Sequence, residues 1–82
     1  MSPLWTTGQP VETLAGEPPI EFRWRHALHR VHQVSDHWRI HLDWWEDEVW
    51  RDYWEVTTDS GLWCVLYRDL LTDKWYLERI YE

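Results

Sequence analysis

Histidines and acidic residues are the side chains in this sequence with the clearest capacity for chemistry. His26, His29 and His32 recur at every third position, a repeat that invites comparison with metal sites. Residues three apart on a strand point to opposite faces, and on a helix the third histidine drifts away from the first two. A structural zinc site needs four ligands, usually including cysteines, and this chain has one cysteine. We therefore predict neither a metal site nor a cofactor.

Acidic residues crowd the segment from residue 43 to 52, where Arg51 is the only basic residue. The five acids are Asp43, Glu46, Asp47, Glu48 and Asp52. Catalytic carboxylates need contrasting environments that push their pKa values apart, whereas a hydrophilic run of acids more often forms a solvated edge. The serines show no histidine–acid arrangement around them in the sequence. We therefore expect a protein that is not an enzyme.

Charge is distributed unevenly along the chain, which has a formal net charge of −7. Between residues 22 and 42 there are four arginines, five histidines and one acid, Asp36. This pattern predicts one mildly basic face and one acidic rim. The overall negative charge disfavours sequence-independent binding to nucleic acid. A face of arginines and exposed tryptophans is nevertheless typical of single-strand binders, so nucleic acid stays a candidate partner.

Nine tryptophans in 82 residues are more indole than we expect so small a core to enclose. We expect two or three of the rings to be substantially exposed. Trp44 and Trp45 are consecutive, so in an extended segment one of them faces away from any single core. Tryptophan is enriched at interface hot spots, and a pair flanked by acids is a candidate anchor for a partner. The alternative is that both rings cover opposite ends of a barrel.

Length and cysteine content indicate the class of protein. A chain of 82 residues forms one domain, and we divide it into a flexible segment, residues 1–9, and a folded domain, residues 10–82. Cys64 lies in an apolar run and is expected to be buried. The lack of any disulfide predicts a cytoplasmic location. We find no signal peptide pattern and no apolar run of membrane-spanning length, so we expect no membrane partner.

The elements that position these side chains are clearest in the C-terminal half. Residues 53–58, 62–67 and 75–81 are rich in aromatic and β-branched residues and are predicted strands. Gly61 ends the first turn and suits a positive φ there. A short strand at 11–14 is a further candidate.

The segment from residue 22 to 49 allows two interpretations. Its apolar residues recur at three- and four-residue steps, which is typical of an amphipathic helix and is slightly favoured on periodicity alone. The alternative is a pair of strands, residues 20–25 and 28–38, joined by a tight turn at His26 and Ala27. In the second of these strands the alternation breaks near Gln33, which would require a β-bulge.

A resemblance to a known family covers about sixty residues, from residue 22 onward. The matching segments are Phe22-Arg23-Trp24-Arg25, His29-Arg30-Val31, Val34-Ser35-Asp36-His37-Trp38-Arg39, Trp44-Trp45-Glu46-Asp47-Glu48, Arg51-Asp52-Tyr53-Trp54-Glu55-Val56, Leu66-Tyr67-Arg68-Asp69 and Trp75-Tyr76-Leu77-Glu78-Arg79. These segments resemble a small bacterial family of unknown function. Its members occur alone or as a C-terminal tail of Y-family-polymerase-like proteins in damage-induced mutagenesis cassettes.

The resemblance implies an all-β fold and overrides the helical periodicity. We therefore expect a single small domain, a strongly curved five- or six-stranded antiparallel sheet or an SH3-like open barrel. The family commonly has glycine where this chain has His26 and Asp47, so both positions are candidates for a positive φ.

Together these observations predict a non-enzymatic interaction module that binds a protein partner, and the resemblance implies that it is accessory to DNA damage tolerance or polymerase-linked assemblies. The predicted binding residues are Arg39, Trp44, Trp45, Arg51 and Tyr67. The predicted core residues are Trp24, Trp38, Val56, Leu66, Trp75 and Leu77. Arg79 and Asp69 are a candidate ion pair between the last two strands. Direct binding of single-stranded nucleic acid is the alternative function, a tryptophan-lined small-ligand pocket is a further rival, and homodimerisation is compatible with all of them.

Overall fold

The computed structural model describes residues 8–14, 16, 18–43 and 48–81, and this part of the chain is folded entirely into β-strands and turns. Its seven strands are β1 (Gln9–Pro10), β2 (Glu12–Thr13), β3 (Glu21–Trp24), β4 (Ala27–Asp43), β5 (Glu48–Thr58), β6 (Trp63–Asp69) and β7 (Lys74–Tyr81). The all-β prediction is confirmed. No helix in the described residues is long and apolar enough to cross a membrane.

All neighbouring strands are antiparallel, in the order β1-β7-β6-β5-β4-β3-β2. The two ends of this order are consecutive in the chain, because only Val11 separates β1 from β2. One N-terminal segment therefore pairs with β7 through β1 and with β3 through β2, and the sheet is nearly closed into a barrel. This split explains why there are seven strands rather than five or six. Gln9, which we assigned to the flexible segment, is part of β1.

The two faces of the sheet carry separate apolar clusters. The first face, which lines the barrel, is centred on Phe22, Val56, Cys64, Leu66 and Leu77. The second face carries a smaller cluster of Tyr53, Val65 and Tyr67. Burial of Val56, Leu66 and Leu77 is confirmed. The three core tryptophans we predicted are only partly buried: Trp24 and Trp75 pack against the first cluster and Trp38 against the second.

The helix-like periodicity of residues 22–49 comes from the β3–β4 hairpin and from irregular pairing of β4 with β5. The β3–β4 turn is at Arg25 and His26, whose φ angles are 52° and 62°. Register shifts follow between Val31 and Gln33 and again between Val34 and Asp36. The bulge expected near Gln33 is thus confirmed. At each register shift, the residues that follow change to the opposite face of the sheet. The apolar residues are therefore spaced three and four apart in the sequence instead of two apart as in a regular strand.

The β6–β7 hairpin corrects the predicted pair between Asp69 and Arg79. Antiparallel pairing places Asp69 opposite Lys74, beside the turn, and Arg79 opposite Val65, much further along. An Asp69 carboxylate oxygen accepts a hydrogen bond from the Leu71 N–H at 2.9 Å. The ion pair we expected is wrong because the register keeps its members at different ends of the hairpin.

Candidate functional site

Indole rings lie at the boundary of the fold instead of at its centre. Six tryptophans belong to the described residues, and none of the six is buried. Trp63 is 46% exposed, and the others are partly buried. They are Trp24, Trp38, Trp50, Trp54 and Trp75. The largest fully buried side chains are instead tyrosines, Tyr53 and Tyr67.

The paired segments 37–43 of β4 and 48–54 of β5, which we call the hairpin, carry three of these indoles. Residues directly opposite each other on neighbouring strands share a face, so the register assigns every side chain to one face or the other. Trp38 lies opposite Tyr53 on the second face. His37 and His41 lie opposite Trp54 and Trp50, respectively, on the first face. The hairpin therefore presents aromatic rings in both directions.

On the second face, four aromatic rings form a row across four strands. Register places Trp38, Tyr53, Tyr67 and Tyr76 side by side on β4, β5, β6 and β7. Successive ring centroids are 5.4, 5.2 and 5.1 Å apart. Aromatic pairs at such distances each contribute about 0.5–1.5 kcal/mol beyond the area they bury. The row stiffens the second face and sets the position of Trp38 at its end.

A half-open groove of about 240 Å³ lies next to this row on the second face. Its lining residues are Trp38, Ile40, Tyr53, Val65, Glu78, Arg79 and Tyr81. Five of these seven residues are aromatic or aliphatic, and the Glu78 and Arg79 side chains, 3.4 Å apart, add an ion pair. The exposed Trp63 ring contacts Tyr81 in a tilted arrangement, with 4.3 Å between the ring centroids. The pKa of Tyr81 is raised by desolvation first and by the neighbouring Glu55 carboxylate second.

Arg51 and Tyr67, both predicted as binding residues, lie together on the second face but inside the structure. Arg51 is 8% exposed and Tyr67 is completely buried. The Arg51 guanidinium lies 4.4 Å from the centroid of the Tyr67 ring and donates a hydrogen bond to the Tyr53 hydroxyl at 3.3 Å. Burial raises the pKa values of both tyrosines, and Arg51 partly opposes that effect. Tyr67 therefore has no exposed surface with which to contact a partner.

Arg39 lies on the first face of the hairpin with a buried carboxylate. The Asp52 side chain is 3% exposed and accepts a hydrogen bond from His37 Nε2 at 2.6 Å. Arg39 Nε lies 3.6 Å from the same carboxylate oxygen. The His37 ring stacks on Trp54, with centroids 3.5 Å apart. Arg39 is thus an exposed cation whose Nε is held beside the Asp52 carboxylate.

Histidines of β4 form hydrogen bonds with acidic residues of β5 across the hairpin. His41 Nε2 donates to a Glu48 carboxylate oxygen at 2.7 Å, and His37 donates to Asp52. His32 Nδ1 lies 3.4 Å from a carboxylate oxygen of Asp59. The predicted separation into a basic face and an acidic rim is therefore wrong for these residues. Antiparallel pairing of β4 with β5 brings the two charge runs into register.

One histidine–serine contact was missed in the sequence. His29 Nδ1 lies 3.0 Å from Ser60 Oγ, which also shares a hydrogen bond with Thr58 Oγ1. The two residues are 31 positions apart, so no local motif marks the contact. In the described part of the chain, no ion pair or hydrogen bond between His29 and a carboxylate completes a triad, and no three His, Cys, Asp or Glu side chains are grouped as metal ligands.

Two of the five predicted binding residues, Trp44 and Trp45, lie outside the described residues. Of the others, only Arg39 is exposed. Sequence reasoning missed the groove residues Val65 and Tyr81. A signal for them existed, because residues 62–67 are almost continuously apolar, a pattern typical of strands covered on both faces.

Comparison with known proteins gives a family but no solved relative. No curated protein and no solved structure is significantly similar to this chain. A family model described as "Domain of unknown function (DUF6504)" matches residues 3–82, nearly the whole chain. The chain therefore belongs to this family of domains of unknown function.

Proposed function

We propose that this protein is a non-enzymatic interaction module that binds a protein partner through the second face of the hairpin. The observation that carries the proposal is the groove, where Trp38 and Ile40 stand on one side and Arg79 and Tyr81 on the other. Interface hot spots are enriched in Trp, Tyr and Arg placed in pockets that a partner can desolvate. The groove supplies all three residue types.

The size of the groove favours a side chain over a cofactor as its occupant. Pockets for drug-sized ligands span about 300–1,000 Å³, and this groove is smaller. Its floor of Tyr53 and Val65 is apolar and suits an aromatic or branched aliphatic side chain. The Glu78–Arg79 pair at its side can direct a polar backbone or side chain of the same partner.

Direct binding of single-stranded nucleic acid is the less favoured alternative. Stacking rings are present, but the formal net charge of −7 repels a phosphate backbone, and most of the arginines already contact a carboxylate. In the described residues, five arginines lie within 4 Å of a carboxylate: Arg23 beside Glu12, Arg30 beside Glu21, Arg39 beside Asp52, Arg68 beside Asp73 and Arg79 beside Glu78. Salt-dependent binding of a labelled single-stranded oligonucleotide at about 50 mM salt would favour this alternative over a protein partner.

The partner we propose belongs to a DNA-damage-tolerance or polymerase-linked assembly of a bacterial cell. The support for this part is the sequence resemblance alone. Trp44 and Trp45, which follow β4 in the sequence, are proposed to contribute to the same interface.

Peptide phage display tests the proposal without knowledge of the natural partner. Random peptides selected on the wild-type protein are expected to share at least one aromatic or branched aliphatic position. Trp38→Ala and Ile40→Ala should each weaken binding of the selected peptides about tenfold or more, since a buried hot-spot contact is worth at least ~1.4 kcal/mol.

Leu28→Ala and Leu71→Ala are the matched controls, because both leucines are exposed apolar residues outside the groove. These variants should retain binding, and thermal unfolding should show that all four variants are folded. Absence of any enriched peptide, or equal binding by the groove and control variants, would refute the proposal.

A further inference from the structure

Strand β4 has a neighbour on both sides only along its first residues. β3 pairs with residues Ala27 to Arg30, and the Val31 N–H donates to the Ile20 carbonyl at 2.9 Å. From residue 32 to 43, β5 is the only strand paired with β4 in the part of the chain that the structure describes. The other edge of β4 thus presents a row of backbone N–H and C=O groups, which is a template for an added strand.

Antiparallel geometry shows which backbone groups face this open edge. The Leu70 N–H donates to the Trp50 carbonyl at 2.9 Å, so Trp50 directs its backbone groups toward β6 and away from β4. In an antiparallel pair, two opposite residues either bond to each other or both point outward. His41, opposite Trp50, therefore directs its N–H and C=O outward, and Arg39 does the same two residues earlier.

The edge divides into a protected half and an open half. Both register shifts of β4 lie before residue 37, and bulges of this kind hinder pairing with other chains. The Asp36 carboxylate also accepts a hydrogen bond from the His37 N–H at 2.8 Å, so the outward N–H donors open to an added strand begin at Arg39. From residue 37 to 43 the pairing with β5 is one to one. This stretch therefore has no register shift that would hinder an added strand.

We propose that an extended segment of a partner protein adds to β4 as an antiparallel strand along residues 37–43, a step that rests on the proposed function above. Trp38 and Ile40, which line the groove, would contact its residues on one face, and Arg39 would contact those on the other. Arg39 approaches Asp52 through Nε, and a guanidinium has further N–H donors for a second carboxylate. The segment therefore alternates apolar with polar residues and carries a carboxylate opposite Arg39.

Backbone methylation of a designed peptide tests this mode of binding. The probe is a short capped peptide in which valine alternates with threonine around a central glutamate, and its affinity is measured by fluorescence anisotropy. In an antiparallel added strand the polar residues direct their N–H groups toward β4. N-methylation of the polar residues should therefore weaken binding about tenfold to a hundredfold, as expected for the loss of two or three hydrogen bonds, whereas N-methylation of the valines should leave it unchanged.

The protein offers a matched pair of variants at His41. His41→Pro removes an outward N–H without removing a bond to β5, a position where edge strands tolerate proline. It should weaken peptide binding about tenfold, and His41→Ala, which also loses the Glu48 and Trp50 contacts, should bind nearly as well as wild type. Binding of the two methylated peptides is measured on the wild-type protein, so the test of strand addition remains decisive even if the proline variant fails to fold.

The outcomes separate this inference from the proposed function. Equal affinity of the two methylated peptides, or no binding of the unmethylated probe, would overturn strand addition. If phage-selected peptides still depend on Trp38 and Ile40 in that case, binding of a partner in the groove remains supported. Loss of binding only on valine methylation would overturn the antiparallel orientation. A wild-type dimer in sedimentation that His41→Pro dissociates would assign the edge to a second copy and also overturn the proposal.

Discussion

Cys64 is a thiol whose chemistry is controlled by burial. It is completely enclosed, and desolvation raises its pKa from 9.0 to about 12. Between these two pH values the unfolded chain loses the thiol proton while the folded chain keeps it. The free energy of unfolding should therefore fall as the pH rises above 9, with a contribution from Cys64 of up to ~1.4 kcal/mol per pH unit.

The matched variant for this prediction is Cys64→Ala, measured by denaturant unfolding across the alkaline range. Buried tyrosines act in the same direction at higher pH, so the difference between wild type and variant isolates the thiol. The variant should start less stable because of a small cavity, and the gap should narrow as the pH rises. A gap that stays constant with pH would contradict a buried thiol.

Asp52 is the carboxylate on which the first face of the hairpin depends. His37 donates to it, Arg39 lies beside it, and its side chain is 3% exposed. Asp52→Asn should lower the free energy of unfolding by about 1–3 kcal/mol, because the buried acceptor of His37 and Arg39 loses its negative charge. Urea unfolding provides the measurement. Glu48→Gln is the control, since Glu48 is 42% exposed beside His41 and should lose less than ~1 kcal/mol. If both variants lose the same free energy of unfolding, the buried Asp52 carboxylate contributes no more than an exposed one.

The residue types of the core could be only partly predicted from the sequence. Burial of Val56, Leu66 and Leu77 followed from their place in apolar strands. The sequence did not predict that Tyr53 and Tyr67 would be buried in place of tryptophans. Their burial depends on the row of rings that the cross-strand register creates. Register is set by turns and bulges distant from the tyrosines themselves.

The turn between β3 and β4 places two non-glycine residues in a strained backbone conformation. Arg25 and His26 both have positive φ, a conformation that glycine adopts without steric cost. His26→Gly should raise the free energy of unfolding by about 1 kcal/mol, and thermal or urea unfolding would measure it. His26→Ala should give no such gain, because any Cβ meets the same hindrance. Equal stability of the two variants would show that the turn is unstrained.

The strands of the C-terminal half were predictable because their residue types and turns agree. Predicted strands at 53–58, 62–67 and 75–81 fall within or overlap β5, β6 and β7, and Gly61 has a φ of 86° as its turn requires. β4 was harder, since its two register shifts gave a strand the spacing of a helix. Its full length of 17 residues followed from pairing with β5, which the sequence does not display.

Closure of the molecule depends on contacts between distant parts of the chain. Gly8 lies so close to the Leu77 carbonyl that an added Cβ would collide with it, and its N–H donates to the Tyr67 hydroxyl at 3.0 Å. These contacts join residues about sixty positions apart, so no local pattern announces them. The groove is likewise formed by residues from four strands. For this reason the sequence predicted a binding surface but not its position.

Tryptophan rings lie at the surface of the sheet, and the proposed binding face depends on their exposure. Fluorine NMR of protein labelled with 5-fluorotryptophan tests this directly, because accessible rings shift between H₂O and D₂O. Tryptophan-to-phenylalanine variants assign each resonance. We predict a solvent shift for all six described tryptophans, largest for Trp63, which is 46% exposed. Resonances of Trp38, Trp50 and Trp63 that are insensitive to solvent in the monomer would contradict the account.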